Sequence, residues 1–144
     1  MRVVVQIAKD AKCVIDNKTY SSIDFGYVLL VGFKEGDDIN VINKMIKKIV
    51  NLRVFKDDAG KMNLNINQVN GKILSISQFT LYANTNEGNR PSFVGALSGD
   101  KSSVLYDKFN ELLKKEVEVQ TGVFGAEMEI SFTNMGPCTI NLEF

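Results

Sequence analysis

Apolar and polar positions change rhythm several times along this chain, and each change marks an element. "RVVVQIA" and "KCVI" are two β-rich pieces separated by a Lys-Asp-Ala break, and "YVLLVGF" is a continuous apolar run of strand length between Gly26 and Gly36, the pattern of a buried strand. After Gly36 the period lengthens. Ile39, Ile42, Met45, Ile46 and Ile49 recur at helical spacing, with Asp37 or Asp38 placed to cap the first turn. "RVF" predicts a short strand, "KDDAGK" carries turn chemistry, and "KILSISQFTLYA" resumes a strand on which Ile73, Ser75 and Ser77 oppose Leu74, Ile76 and Gln78. "NTNEGNRPSF" reads as a loop by composition. "SSVLYDKFNELLKKEV" gives a second amphipathic helix, capped by Ser102 or Ser103 and burying Leu105, Phe109, Leu112 and Leu113. The remainder alternates as strands with glycine-rich breaks.

This order of strands, helix, strands, helix, strands predicts an α+β fold. One domain covers residues 1–144: a curved, mixed or largely antiparallel, barrel-like sheet with two amphipathic helices on one side. One position resists the pattern. In "TNMGPCTINLEF" the pair Gly136-Pro137 interrupts a run that otherwise alternates like a sheet, and proline removes a ladder donor. The pair either separates two strands or has a use of its own.

Composition narrows the chemistry. With 44% hydrophobic and 24% charged residues the chain can bury a core. No apolar run approaches the ~20 residues of a membrane span and the start lacks a signal-peptide pattern, so the expectation is a cytoplasmic protein with no membrane partner. There is no histidine, which excludes Ser-His-Asp and Cys-His pairs and a general base titrating near neutrality. Cys13 and Cys138 are far apart in sequence and fit no metal-binding spacing, so neither a metal nor another cofactor is expected. Seventeen basic and 17 acidic side chains give zero net charge, which does not announce a nucleic-acid binder.

Candidate chemistry sits at two places. Ser77, Gln78 and Thr80 lie where a strand runs out into a loop, a usual position for functional groups on a rigid scaffold. The second is Gly136-Pro137 itself, flanked by polar Asn134 and Thr139 and able to present backbone carbonyls in a fixed direction. Arg90, in a glycine- and asparagine-rich loop, suits a phosphate or carboxylate.

"MRVVVQ", "SQFTLYA", "GNRPSF", "TGVFGAEMEISFTN" and "GPCT", in this order and spacing, make the chain resemble the D-aminoacyl-tRNA deacylases over its whole length. The resemblance implies a homodimeric hydrolase that cleaves the ester between a D-amino acid, or glycine, and the 3′-terminal ribose of tRNA. It implies that Ser77, Gln78, Phe79 and Thr80 line the pocket of one subunit. A cis Gly136-Pro137 from the other subunit would exclude L side chains as a chiral gate. The tRNA-binding candidates are Arg90, Lys44, Lys47 and Lys48, joined by Lys114 and Lys115, with DNA not expected as a partner. Ile7 stands where the family usually carries an arginine. The alternatives are therefore a relaxed-chirality deacylase with a trans Gly-Pro, and a non-catalytic dimeric RNA-binding module of the same fold.

Overall fold

The computed structural model describes Met1–Phe144. Its framework is one long antiparallel hairpin of β1 (Arg2–Ile15) and β2 (Lys18–Gly32). Asp16 and Asn17 form the turn, both at positive φ, as a two-residue hairpin of matching twist requires of its central pair. The two pieces expected before Asp16 are thus a single strand. The Lys9-Asp10 break is the point at which its buried face changes: Val3, Val5 and Ile7 enter the larger core, whereas Ala11 and Cys13 enter a smaller one. Asp10, with φ at 54°, provides the irregularity that makes the switch.

Three further strands complete the main sheet. β5 (Lys72–Ser77) runs parallel to β2, β6 (Val119–Thr121) runs parallel to β5, and β7 (Glu129–Glu143) runs antiparallel to β1, giving the order β6-β5-β2-β1-β7. The sheet is mixed, as expected, but open rather than barrel-like: β6 and β7 are its edges and do not pair. Parallel neighbours need long crossovers. The β2-to-β5 crossover carries α1 (Ile39–Asn51) and a small hairpin of β3 (Phe55–Lys56) and β4 (Met62–Leu64); the β5-to-β6 crossover carries α2 (Gly99–Leu113).

Both helices cover one face. Ile42, Met45, Ile46 and Ile49 of α1 join Tyr106, Phe109 and Leu113 of α2 in the larger core. Asp38 is the cap of α1, its carboxylate accepting the N–H groups of Asn40 and Val41. Asp37 instead accepts the Met1 ammonium and the Lys34 N–H. The second helix begins at Gly99, earlier than expected from Ser102 or Ser103. Ser102 is buried inside it and donates to the Leu97 carbonyl at 3.1 Å. On the opposite face, Leu74 and Ile76 of β5 share the smaller core with Ile130 and Phe132 of β7, so strands with two others between them in the sheet approach one another as it curls.

Tyr106 links helix and sheet by donating its buried hydroxyl to the Ser75 carbonyl at 2.8 Å, and burial pushes that hydroxyl's pKa up. The Ser75 carbonyl also accepts from Gly122 N–H at 3.0 Å, so it keeps a partner when the phenol is removed. Tyr106→Phe is therefore expected to cost only about 1 kcal/mol. In urea unfolding the midpoint falls while the slope is unchanged.

Two differences from the sequence reading shape the site. The strand at 72–83 ends at Ser77, and Phe79–Tyr82 is a 3₁₀ turn. The partner strand stops at Gly32, so no rung remains for residues after Gln78, whose N–H bonds the Val31 carbonyl at 2.7 Å. Gly32 also makes room for the fold-back: a Cβ there would lie 2.9 Å from the Gln78 carbonyl oxygen. Conversely, Gly136-Pro137 does not end a strand. β7 continues through it, with Ala8 opposite Asn134 and Gln6 opposite Thr139, so Met135–Cys138 arch out across from Ile7 alone. The Gly136-Pro137 peptide bond is cis.

Candidate active site

The end of β5, the 3₁₀ turn, the start of α2 and the segment between β6 and β7 surround a cleft of 580 Å³. Ser77, Gln78 and Phe79 form one wall, Phe93 and Leu97–Gly99 a second, and Phe124, Met128 and Ile130 a third. None of the lining residues carries a titratable side chain. A reaction here has no resident carboxylate, amine or phenol to act as base, and must draw on main-chain dipoles, hydroxyls, amides and the substrate's own groups.

The 3₁₀ turn supplies those groups. Its first closing bond runs from Leu81 N–H to the Gln78 carbonyl, which leaves the N–H groups of Phe79 and Thr80 without a partner inside the turn. Gln78 Nε2 donates to Thr80 Oγ1. Phe79 is 55% exposed and meets Phe93 edge-on, with ring centroids 5.0 Å apart. Ser77, Gln78 and Phe79 thus line the cleft together; Thr80 stands beside it, exposed, and touches it through Gln78.

The turn buries none of its own residues, so something else must hold it. Arg2 does. Its guanidinium donates to the Leu81 carbonyl, lies 4.8 Å from the centre of the Tyr82 ring, and donates from Nε and Nη2 to Glu143 at 3.2 and 2.9 Å. These bonds hold the Glu143 carboxyl below its ordinary pKa. Sequence reasoning missed Arg2 because one cation beside an apolar strand carries no signal; its partners are 79 to 141 residues away. It also missed Phe124, Met128 and Ile130, which look like ordinary strand residues.

The other candidates lie elsewhere. Gly136 and Pro137 do not line the cleft. Ser77, Val31, Val3 and Leu142 share one row across the sheet, while the arch faces Ile7, four residues further along β1. Of β7, it is Ile130 that reaches the cleft wall and not the arch. Arg90 is exposed on a loop closed by paired Asn84 and Ser92, next to the cleft residue Phe93. Lys44 lies over the Phe144 ring at 4.2 Å. Lys47 and Lys48 are exposed on α1, Lys47 in a groove shared with Lys115, at the opposite end of α2 from the cleft and about 20 Å along it. Lys114 borders a separate groove with Tyr20 and Thr121. No three His, Cys, Asp or Glu side chains converge, and the two free cysteines belong to different cores. No helix is long and apolar enough to cross a membrane.

The family profile described as D-Tyr-tRNA(Tyr) deacylase matches residues 4–143. The chain belongs to this deacylase family. A D-aminoacyl-tRNA deacylase of Lactobacillus gasseri is 50% identical over 144 residues, 99% of either chain, and one of Lactobacillus acidophilus is 51% identical over the same length and shares. Among solved structures, the c-Myc DNA Unwinding Element Binding Protein superposes with a TM-score of 0.95 at 34% identity, covering 100% of this chain and 99% of the other. A probable eukaryotic D-amino acid tRNA deacylase gives 0.83 at 16% identity, over 98% and 97%, a likeness of fold. The resemblance found in the sequence is borne out: the chain is a hydrolase of the deacylase family, whose substrates are aminoacyl-tRNAs.

Proposed function

We propose that this deacylase hydrolyses the ester of D-aminoacyl-tRNA and of glycyl-tRNA in the cytoplasm, as a homodimer in which Gly136-Pro137 of one copy closes the cleft of the other. The observation that carries the reading is the pairing of a cleft free of titratable groups with an exposed arch that does not line it on the same chain. A second copy supplies what one chain separates. Exposed apolar residues, Phe79 of the cleft wall at 55% and Val94, next in the chain to the cleft residue Phe93, at 93%, fit a surface that a neighbour covers.

An aminoacyl ester is already activated, so the site has little to do beyond orientation and charge stabilisation. The seat of the reacting carbonyl lies against the 3₁₀ turn, where the N–H groups of Phe79 and Thr80 receive the oxyanion as water attacks. The 2′-hydroxyl of the terminal ribose assists water, replacing the missing base. Thr80 acts by position rather than as a nucleophile, because its hydroxyl accepts from Gln78 and no base lies in the cleft to activate it. Carbonyls of the partner's arch occupy the space that an L side chain needs while admitting D residues and glycine. Arg90 and the α1 lysines contribute phosphate contacts that weaken with salt.

Single-turnover deacylation of D-Tyr-tRNA, Gly-tRNA and L-Tyr-tRNA by the purified protein tests this reading. Loss of the first two esters with the third spared is the expected result. Cleavage of all three at similar rates overturns the chiral gate and favours a relaxed deacylase. No cleavage of any overturns catalysis in favour of a binding module.

A further inference from the structure

β7 is an exposed edge strand, and a four-residue excursion on such a strand has no neighbour on its outer side to fix its height. The feet of the arch are nevertheless tied. Thr139 Oγ1 accepts from Asn134 Nδ2 at 3.1 Å across the neck, and from Gln6 Nε2 of the neighbouring strand at 3.2 Å. Asn134 and Thr139 are also the last paired positions on either side of the arch, opposite Ala8 and Gln6. Asn134 Oδ1 is buried without a partner, so Thr139 is the side chain's one hydrogen-bond tie. Inside the loop, Cys138 packs against the larger core while Gly136 and Pro137 stay exposed. Gly136 has φ at +115° and passes so close to the next turn of chain that a Cβ would lie 2.9 Å from Cys138 N.

From this geometry we infer that Thr139 is a specificity-determining positioning residue: by joining Asn134 to Gln6 through one hydroxyl, it sets how far the Gly136-Pro137 carbonyls project. The inference rests on the reading of that arch as the chiral gate. Exclusion by clash depends on position far more than attraction does, because a wall that recedes by a fraction of an ångström no longer clashes. A carbonyl held by packing at Cys138 alone can recede; one whose two feet share a hydrogen-bonded hydroxyl cannot without breaking both bonds. Thr139 touches neither the reacting ester nor the 3₁₀ turn, so its loss acts on selection between enantiomers before it acts on the chemistry.

The test compares single-turnover rates on D-Tyr-tRNA and L-Tyr-tRNA for the full-length wild type, Thr139→Val, Thr139→Ser and Asn134→Ala. Thr139→Val keeps the branched shape and loses the acceptor. Its ratio of L to D rates is expected to rise about tenfold, the effect of one or two net hydrogen bonds; Thr139→Ser retains the wild-type ratio, and Asn134→Ala rises with Thr139→Val. Melting temperatures of the four proteins separate a fold defect from a selectivity defect. A ratio within about twofold of wild type in both Thr139→Val and Asn134→Ala overturns the inference while leaving the gate standing, and so does an equal fall of both rates. A wild type that cleaves both enantiomers alike overturns the gate itself, and this inference with it.

Discussion

Gly26→Ala is expected to abolish the native fold at room temperature. Gly26 lies in the middle of the sheet, paired with Ala8 on one side and Lys72 on the other. A Cβ there would sit 1.8 Å from the Lys72 carbonyl oxygen and 2.5 Å from its nitrogen, both backbone atoms that cannot rotate away. Its φ of +141° adds a conformation that side-chain-bearing residues rarely adopt. Relief requires β2 and β5 to part at the rung where their parallel pairing begins. A loss above about 4 kcal/mol follows, in the range where one substitution consumes much of a domain's stability. Urea unfolding followed by circular dichroism checks it, and a variant within about 1 kcal/mol of wild type would show that the strands yield locally.

The second large effect is kinetic. Gln78→Ala and Thr80→Ala should each slow single-turnover deacylation of D-Tyr-tRNA by about a hundredfold, the order expected when reacting groups lose their alignment. Each removes one end of the Gln78–Thr80 hydrogen bond on a turn that has no buried residue. Little packing is lost, so melting temperature and self-association should stay at wild-type values. Should both variants keep wild-type turnover, the side chains of the turn are spectators and catalysis runs on its main chain alone.

The helix positions were readable because burial repeats with the helical period: Ile42, Met45, Ile46 and Ile49 announce α1, and Asp38 announces its start. The start of α2 was misplaced since Ser102 has the chemistry of a cap, yet here satisfies the Leu97 carbonyl from inside the helix. Phe79–Tyr82 read as strand because apolar residues in a 3₁₀ turn look alike in sequence; only the early end of the partner strand at Gly32 decides otherwise. Of the candidate site, Ser77, Gln78 and Thr80 were legible as polar residues at a strand end, and Phe79 only through the family resemblance. The third wall and Arg2 were not. Their roles arise from contacts between distant parts of the chain, which no local pattern encodes. The arch was visible as an anomaly at Gly136-Pro137, but continuity of β7 through it required the register on both sides.

The place of β1 between its two neighbours has a consequence for how the chain is made. β2 is synthesised immediately after it and pairs along one edge; β7, which covers the other, leaves the ribosome after the other four strands of the sheet. At ~5–20 residues per second, that second edge stays open for on the order of ten seconds. The waiting segment is "VVVQIA", uncharged and strongly sheet-forming, with charges only at its ends, Arg2 before it and Lys9 after it. β7 therefore serves the nascent protein as a cover before it serves the finished one as a display for the arch. A chain stopped before Glu129 would leave the ribosome with that edge of β1 exposed for good.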